Sequence, residues 1–315
     1  MRQLRQLACW TAAAGAVWLV LASAIGIVMV EVALHPLRRA VTADNQALAQ
    51  NVSTRESAVL SDVAMAASDG AMLRAWSLVP RYGNGDAVIL LHGQGDNRAG
   101  MLGVADMLLR HGYAVLLPDA RAQGASGGTV ATYGVKESED LRRWYAWLRG
   151  TRNLRCIDAL GDSMGAAIVL ESTAAVPQLC AVVAESPFSS FREAAYLRLG
   201  QQFGTGPWLG RTLLFPSVEV GFLYARLQYG VDFERASPAR AAATSHVPIF
   251  LIHGLADTNL PPYFSESIKA QRPDAVLWEP SGARHCGAMH AAPAEYEQRV
   301  TRWFASHEQA GAARQ

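Results

Sequence analysis

The chain is short of charge, short of cysteine, and has almost no bias in the sign of its charge. Asp, Glu, Lys and Arg make up 17% of 315 residues, against a typical ~25%. That excludes a disordered, highly charged solvating chain. With 28 basic and 27 acidic residues the formal net charge is +1, so nothing supports an electrostatic nucleic-acid binder and no nucleic-acid partner is expected. Four cysteines are too few for a disulfide-stapled miniprotein, and no CxxC pair marks a structural zinc site. Internal repeats and low-complexity tracts are missing too. What is present is a globular chain with 50% hydrophobic residues, long enough for two domains of ~150 residues or one α/β fold of ~200–250.

Much of the apolar excess lies at the N-terminus. From Gln6 to Val30 no residue is charged, after Arg2 and Arg5. As a helix that run would reach about 37 Å, longer than a ~30 Å hydrocarbon core. Ala22-Ser23-Ala24 looks like a signal-peptidase site, but the apolar run continues to Val30, past the ~7–15 residues of a signal h-region. Residues 1–34 are therefore expected to be an uncleaved, single-pass anchor that meets the lipid bilayer through residues 7–30. Arg38 and Arg39 on the far flank nearly balance Arg2 and Arg5. The expected orientation is N-terminus in, with the remainder on the non-cytoplasmic side (periplasmic in a bacterium).

Residues 35–57 are polar and mixed, without an apolar period, and are expected to form a stalk. Beyond them Val59–Ala67 and Met72–Leu78 flank Asp69-Gly70, a hairpin signal. Ala87–Leu91, Tyr113–Leu117, Ile157–Leu160, Ala181–Ala184, Ile249–Ile252 and Ala275–Trp278 are short apolar runs suited to buried parallel strands. Helical patterns alternate with them: Met101, Val104, Ala105 and Leu108; Leu141, Trp144, Tyr145 and Leu148; and Tyr296, Val300, Trp303 and Phe304. Alternation of this kind predicts a mainly parallel sheet covered on both faces.

Gly161-Asp162-Ser163-Met164-Gly165 fits a nucleophile elbow, in which a serine on a sharp strand-to-helix turn needs near-hairless neighbours two positions away on each side. The pattern alone is weak, but an apolar run precedes it and the helical stretch Ala166–Val176 follows. A base and an orienting acid should come later in the chain. His285, in the loop after the last apolar run, is the preferred base, with His290 its competitor. Asp257, in the loop after Ile249–Ile252, is the preferred acid, with Glu185 the alternative. His92 and His253 close apolar strands, where a histidine commonly orders the adjoining loop. A zinc reading of His285, Cys286 and His290 lacks further ligands at recognisable spacing, so no metal is expected. Backbone donors for an oxyanion are expected from Met164 and from Gln94, within His92-Gly93-Gln94-Gly95.

Together these segments resemble the α/β-hydrolase superfamily, and within it the Bem46-like and ABHD-type membrane-linked serine hydrolases. The resemblance is carried by Asp69-Gly70, Leu90-Leu91-His92-Gly93, Leu117-Pro118-Asp119, Gly161–Gly165, Glu185-Ser186-Pro187-Phe188, His253-Gly254 with Asp257 and Pro261-Pro262, and Gly282 with His285. It implies an α/β-hydrolase fold: a mostly parallel eight-stranded sheet with helices on both faces over residues 58–309. It also implies a small helical cap at about 187–246, and a Ser163–His285–Asp257 triad. Where relatives commonly have Arg-Gly-His-Gly, this chain reads Arg121-Ala122-Gln123-Gly124, a departure in loop detail.

Ten of the 26 aromatic residues fall in the 60 positions of the expected cap, about twice a uniform share. Phe203, Trp208, Phe215 and Phe222 are accordingly expected to line an acyl site, although packing of short cap helices explains such aromatics equally well. The expected activity is hydrolysis of a small-molecule carboxylic ester through an acyl-enzyme, needing no cofactor. A thioesterase, amidase or peptidase would use the same residues, and a non-catalytic binding domain would have lost one of them. In the strand order that the resemblance implies, Cys156 and Cys180 open neighbouring parallel strands, within Cα range for a bridge, although two buried free thiols fit the same placement equally well.

Overall fold

The computed structural model describes residues 1–308; the expected domain boundary at residue 309 lies outside them. Eight strands form one sheet: β1 (Ala58–Ala66), β2 (Met72–Pro80), β3 (Asp86–Leu91), β4 (Ala114–Pro118), β5 (Cys156–Asp162), β6 (Val182–Glu185), β7 (Ile249–Ile252) and β8 (Val276–Trp278). Their order is β1-β2-β4-β3-β5-β6-β7-β8. β2 is antiparallel to β1 and β4, and every later pairing is parallel. The hairpin turns at Gly70, whose φ of 82° suits glycine. Strands β3, β4, β6 and β7 are buried at every residue, as a sheet covered on both faces requires.

The helices are α1 (Arg2–Leu34), α2 (Ala43–Arg55), α3 (Leu102–Arg110), α4 (Glu137–Thr151), α5 (Met164–Ala175), α6 (Phe191–Gln201), α7 (Trp208–Arg211), α8 (Phe215–Tyr229), α9 (Pro238–Thr244), α10 (Tyr263–Gln271), α11 (Ala288–Ala291) and α12 (Pro293–Ala305). The chain divides into two compact units. One holds residues 36–190 and 236 onward, with the whole sheet; the other holds residues 1–35 and 191–235.

In the sheet-bearing unit, α3 and α12 contribute Leu108, Tyr296, Val300 and Phe304 to a core with Trp76, Val88 and Leu90. Helix α5 buries ten of its residues, Met164–Thr173, consistent with an apolar helix enclosed on all sides. Cys156 and Cys180 form a disulfide, with Cα atoms 5.9 Å apart.

Two expectations are corrected here. The supposed stalk contains α2, opened by a capping box between Thr42 and Asn45. Ala49 and Val52 of α2 are buried in the core, against β1 and α3. The cap is also narrower than expected, because residues 187–190 and 236–246, with α9, belong to the sheet-bearing unit.

The other unit joins α1 to α6–α8. α1 is long and apolar enough to cross a membrane, and it carries a buried row at Ala22, Gly26, Val30 and Leu34. α8 lies along this row: a side chain on Gly26 would overlap the Ser217 carbonyl, and one on Gly221 would come within 2.7 Å of the Gly26 carbonyl oxygen. Further on, the Tyr224 and Tyr229 hydroxyls donate to the Glu31 carboxylate at 2.6 and 2.7 Å.

Candidate active site

The strand β5 ends in a turn that only this sequence pattern tolerates. Ser163 sits between β5 and α5 with φ 53° and ψ −111°, a strained conformation for a residue with a side chain. A side chain at Gly161 would overlap the backbone of Gly165, and one at Gly165 would overlap the Leu91 carbonyl of β3. Both glycines are therefore required for the backbone to close, which lifts the Ser163 hydroxyl clear of the sheet edge.

Two loops bring their side chains to it. His285 Nε2 lies 2.8 Å from Ser163 Oγ, and His285 Nδ1 lies 2.7 Å from Asp257 Oδ2. The other carboxylate oxygen of Asp257 accepts from the Asn259 and Leu260 amides, at 2.9 Å each. His253 braces the same loop, donating from Nε2 to the Leu260 carbonyl and accepting the Ser265 hydroxyl at Nδ1, both at 2.7 Å. Burial pushes the Asp257 carboxyl up, but the hydrogen bonds of His253 and His285 and the charge of His285 outweigh it. The carboxylate is held well below its ordinary range and stays charged. The structure thus joins Ser163, His285 and Asp257 in one hydrogen-bonded chain.

Neither competitor joins that chain. His290 is exposed on α11. Glu185 is buried at the end of β6 and accepts the Ala288 amide at 2.8 Å. Burial raises its carboxyl to about 7, against the lowering by Ala288 and Tyr296. Asp162 beside it is also raised by burial and by the Glu185 charge. Both are kept protonated more readily than a surface acid would be.

Met164 is the first residue of α5, where an amide N–H has no intrahelical acceptor. Gly93, one residue before Gln94, passes beside the elbow: a side chain there would lie 3.5 Å from Ser163 Cβ. His92 orders this loop, donating to the Gly93 carbonyl at 2.8 Å and accepting the Ala120 amide at 3.1 Å.

Sequence reasoning missed Gln123. This fully buried amide accepts the Gly95 N–H at 2.6 Å and donates to Met164 Sδ at 3.5 Å. It ties the loop of Gln94 to the start of α5, on both sides of Ser163. Nearby, buried Arg121 pairs with Asp140 at 2.7 Å and with Asp69 at 2.8 Å. The loop that departs from its relatives is thus anchored by its own polar bonds.

The aromatic expectations fare differently. Phe222 is buried among Phe191 and Phe233, packing the cap's own helices. Phe203, Trp208 and Phe215 are 67%, 63% and 43% exposed.

The sequence pattern of the Alpha/beta hydrolase family matches residues 88–299. The chain belongs to this family. Among curated relatives, this alpha/beta hydrolase is 27% identical over 202 residues to YqkD of Bacillus subtilis, an uncharacterized protein; the match covers 62% of this chain and 64% of YqkD. It is 28% identical over 216 residues to the uncharacterized protein Rv2307c of Mycobacterium tuberculosis, covering 66% of each chain. The chain thus spans just under two thirds of the length of both relatives. Among solved structures, the esterase Pf2001 of Pyrococcus furiosus superimposes with a TM-score of 0.66 at 26% identity, covering 81% of this chain and 94% of the esterase. Family and fold together give the chain the alpha/beta-hydrolase architecture.

Proposed function

We propose that this alpha/beta hydrolase is a membrane-anchored serine esterase of the Bem46-like or ABHD-type group, acting on a small-molecule carboxylic ester. The observation that carries this reading is the continuous hydrogen-bonded chain from Ser163 Oγ through His285 to Asp257, built on a strained elbow. In the mechanism His285 Nε2 takes the Ser163 proton as Oγ attacks the acyl carbonyl. Asp257, held ionised, stabilises the imidazolium and fixes its tautomer. The Met164 and Gln94 amides donate to the oxyanion. His285 then protonates the departing alkoxide, leaving an acyl group on Ser163. Water, deprotonated by His285, attacks that acyl group in turn; the Oγ–acyl bond breaks, His285 returns the proton to Ser163 Oγ, and the acid is released. No step calls on a cofactor.

The anchor reading rests on α1, with its uncharged run Gln6–Val30. The Cys156–Cys180 bridge supports an oxidising compartment for the body of the enzyme, hence N-terminus in and the sheet on the non-cytoplasmic side. Full-length protein should need detergent for extraction. A fluorophosphonate probe should label one peptide, the one containing Ser163, and p-nitrophenyl esters should be turned over. Labelling elsewhere, or none with intact fold, would refute the esterase reading.

A further inference from the structure

The cap and the apolar helix α1 share one unit, and the directions of its helices decide which end of the cap lies toward the N-terminus of α1. Gly26 packs against Ser217 and Gly221, and Glu31 binds Tyr224 and Tyr229. Rising numbers in α1 meet rising numbers in α8, so the two helices run parallel. The start of α8 therefore lies at the level of Gly26 and the residues before it. α6 runs the other way: Phe191 meets Phe222, Arg192 binds Glu219, and Tyr196 stacks on Phe215. Its C-terminal end thus reaches the same level as the start of α8. A side chain on Gly210 of α7 would meet the Tyr196 backbone, which fixes α7 there as well. Residues 201–215 accordingly form a tip at the end of the cap that faces the N-terminal half of α1.

Helix arithmetic gives that level a meaning, if α1 spans a membrane as proposed above. Twenty residues counted from Gln6, the first after Arg5, end at Ile25 and cover about 30 Å, the thickness of a hydrocarbon core. The far boundary of the bilayer then falls at Ile25–Gly26, where Ser217 packs. The tip has the composition of such a boundary. Its one charged residue is Arg211, which is paired with Glu193. Phe203, Trp208, Leu213 and Phe215 are all exposed, Leu213 by 56%. Three exposed aromatics and an exposed leucine rimmed by an arginine match the headgroup region, where aromatic rings sit and arginine extends toward water.

We infer that the tip 201–215 is a second membrane contact, seated by Phe203, Trp208, Leu213 and Phe215 in the outer interfacial layer of the phospholipid bilayer that α1 crosses. The inference rests on the anchor reading and extends it. The cap is held against the lipid surface by a rigid helix pair, with its apolar end in the bilayer. A second copy of the chain is the competing occupant, and the test separates the two.

Full-length protein is reconstituted in phosphatidylcholine vesicles that carry a diazirine on one acyl chain, irradiated, and digested with trypsin. The tip falls in two peptides, Leu199–Arg211 and Thr212–Arg226. Lipid adducts on these peptides, besides those on α1, are the expected result. Phe203→Ser with Trp208→Ser should lower the tip adducts about tenfold while leaving Tm and the α1 adducts unchanged. Adducts confined to α1 overturn the inference and leave the anchor standing. Absence of adducts from both overturns inference and anchor together. Tip-to-tip protein cross-links in place of lipid adducts would assign the surface to a second copy and likewise overturn it.

Discussion

In the sheet-bearing unit the loops around Ser163 are tied by buried polar bonds: Asp257 to two amides and His285, His92 to Gly93 and Ala120, Gln123 to Gly95 and Met164. In the unit of α1 and α6–α8 the ordering comes from close backbone approach at Gly26 and Gly221 and from an aromatic cluster of Phe191, Phe222 and Phe233. The first arrangement fixes atoms for chemistry, because each polar group has one geometry in which its partners are satisfied. The second, pinned also by the Glu31 bonds to Tyr224 and Tyr229, mainly sets the spacing and register of helices and leaves large apolar side chains outside. Substitutions in the first should therefore change rates, and those in the second should change packing.

The largest contrast is expected at Ser163→Ala. Ester turnover should fall by about 10⁴–10⁶ with the melting curve unchanged, and near wild-type turnover of a p-nitrophenyl ester would break the distinction outright. Next come His285→Ala and Asp257→Asn, each expected to cost about 10⁴. His290→Ala should stay near wild type in the same assay. If His290→Ala were the inactive variant, the base would lie five residues later than the hydrogen bonds indicate.

Glu185 sharpens the comparison on the side of stability. Its carboxyl is raised to about 7 when folded, from about 4.3 in an unfolded chain. Below both values the two states are protonated alike. Between them the unfolded chain has released a proton that the native state keeps, so stability falls as pH rises through this window and levels off above about 7. Urea titrations at several pH values should show Glu185→Gln with a shallower slope, Asp162 supplying the remainder, and an unchanged slope would contradict the burial argument.

For the other unit, Gly26→Leu should force α1 and α8 apart. The expected cost is about 1–3 kcal/mol of local stability, read as faster tryptic cleavage at Arg211 and Arg226 in detergent, with cleavage in the sheet-bearing unit unaltered. The smallest effect is expected at Gln123→Leu: a fall in kcat of about tenfold at similar KM. A change in KM with constant kcat would mean that Gln123 shapes binding instead of positioning the two donor loops.

How much of this was legible in sequence followed from how each feature is encoded. The elbow was legible because two backbone clashes leave only glycine at positions 161 and 165. Asp257 and His285 were legible because chain order and strand ends narrow the choice among eight histidines. Helix α2 was not, because its buried positions are Ala49, Val52 and Ser53, at helical spacing but with two small residues that give no apolar signal. Gln123 was not, because a neutral amide in a loop carries no pattern, and its role exists only where three loops converge. The cap's limits were overdrawn because α9, rich in alanine, reads alike whether it covers a site or packs beside a sheet.

The parallel contact between Gly26 and Gly221 joins the beginning of the chain to its third quarter. Translation at roughly 5–20 residues per second delivers Gly221 some 195 residues after Gly26, a delay of roughly ten to forty seconds. For that interval α1 exists without its partner helix, and its glycine-bearing stripe is open to whatever surrounds it. Most of the central sheet, β1 to β6, is synthesised within the same gap and β7 and β8 only after α8, so chain order becomes an order of assembly: α1 waits, the sheet begins to form, and α8 closes the seam.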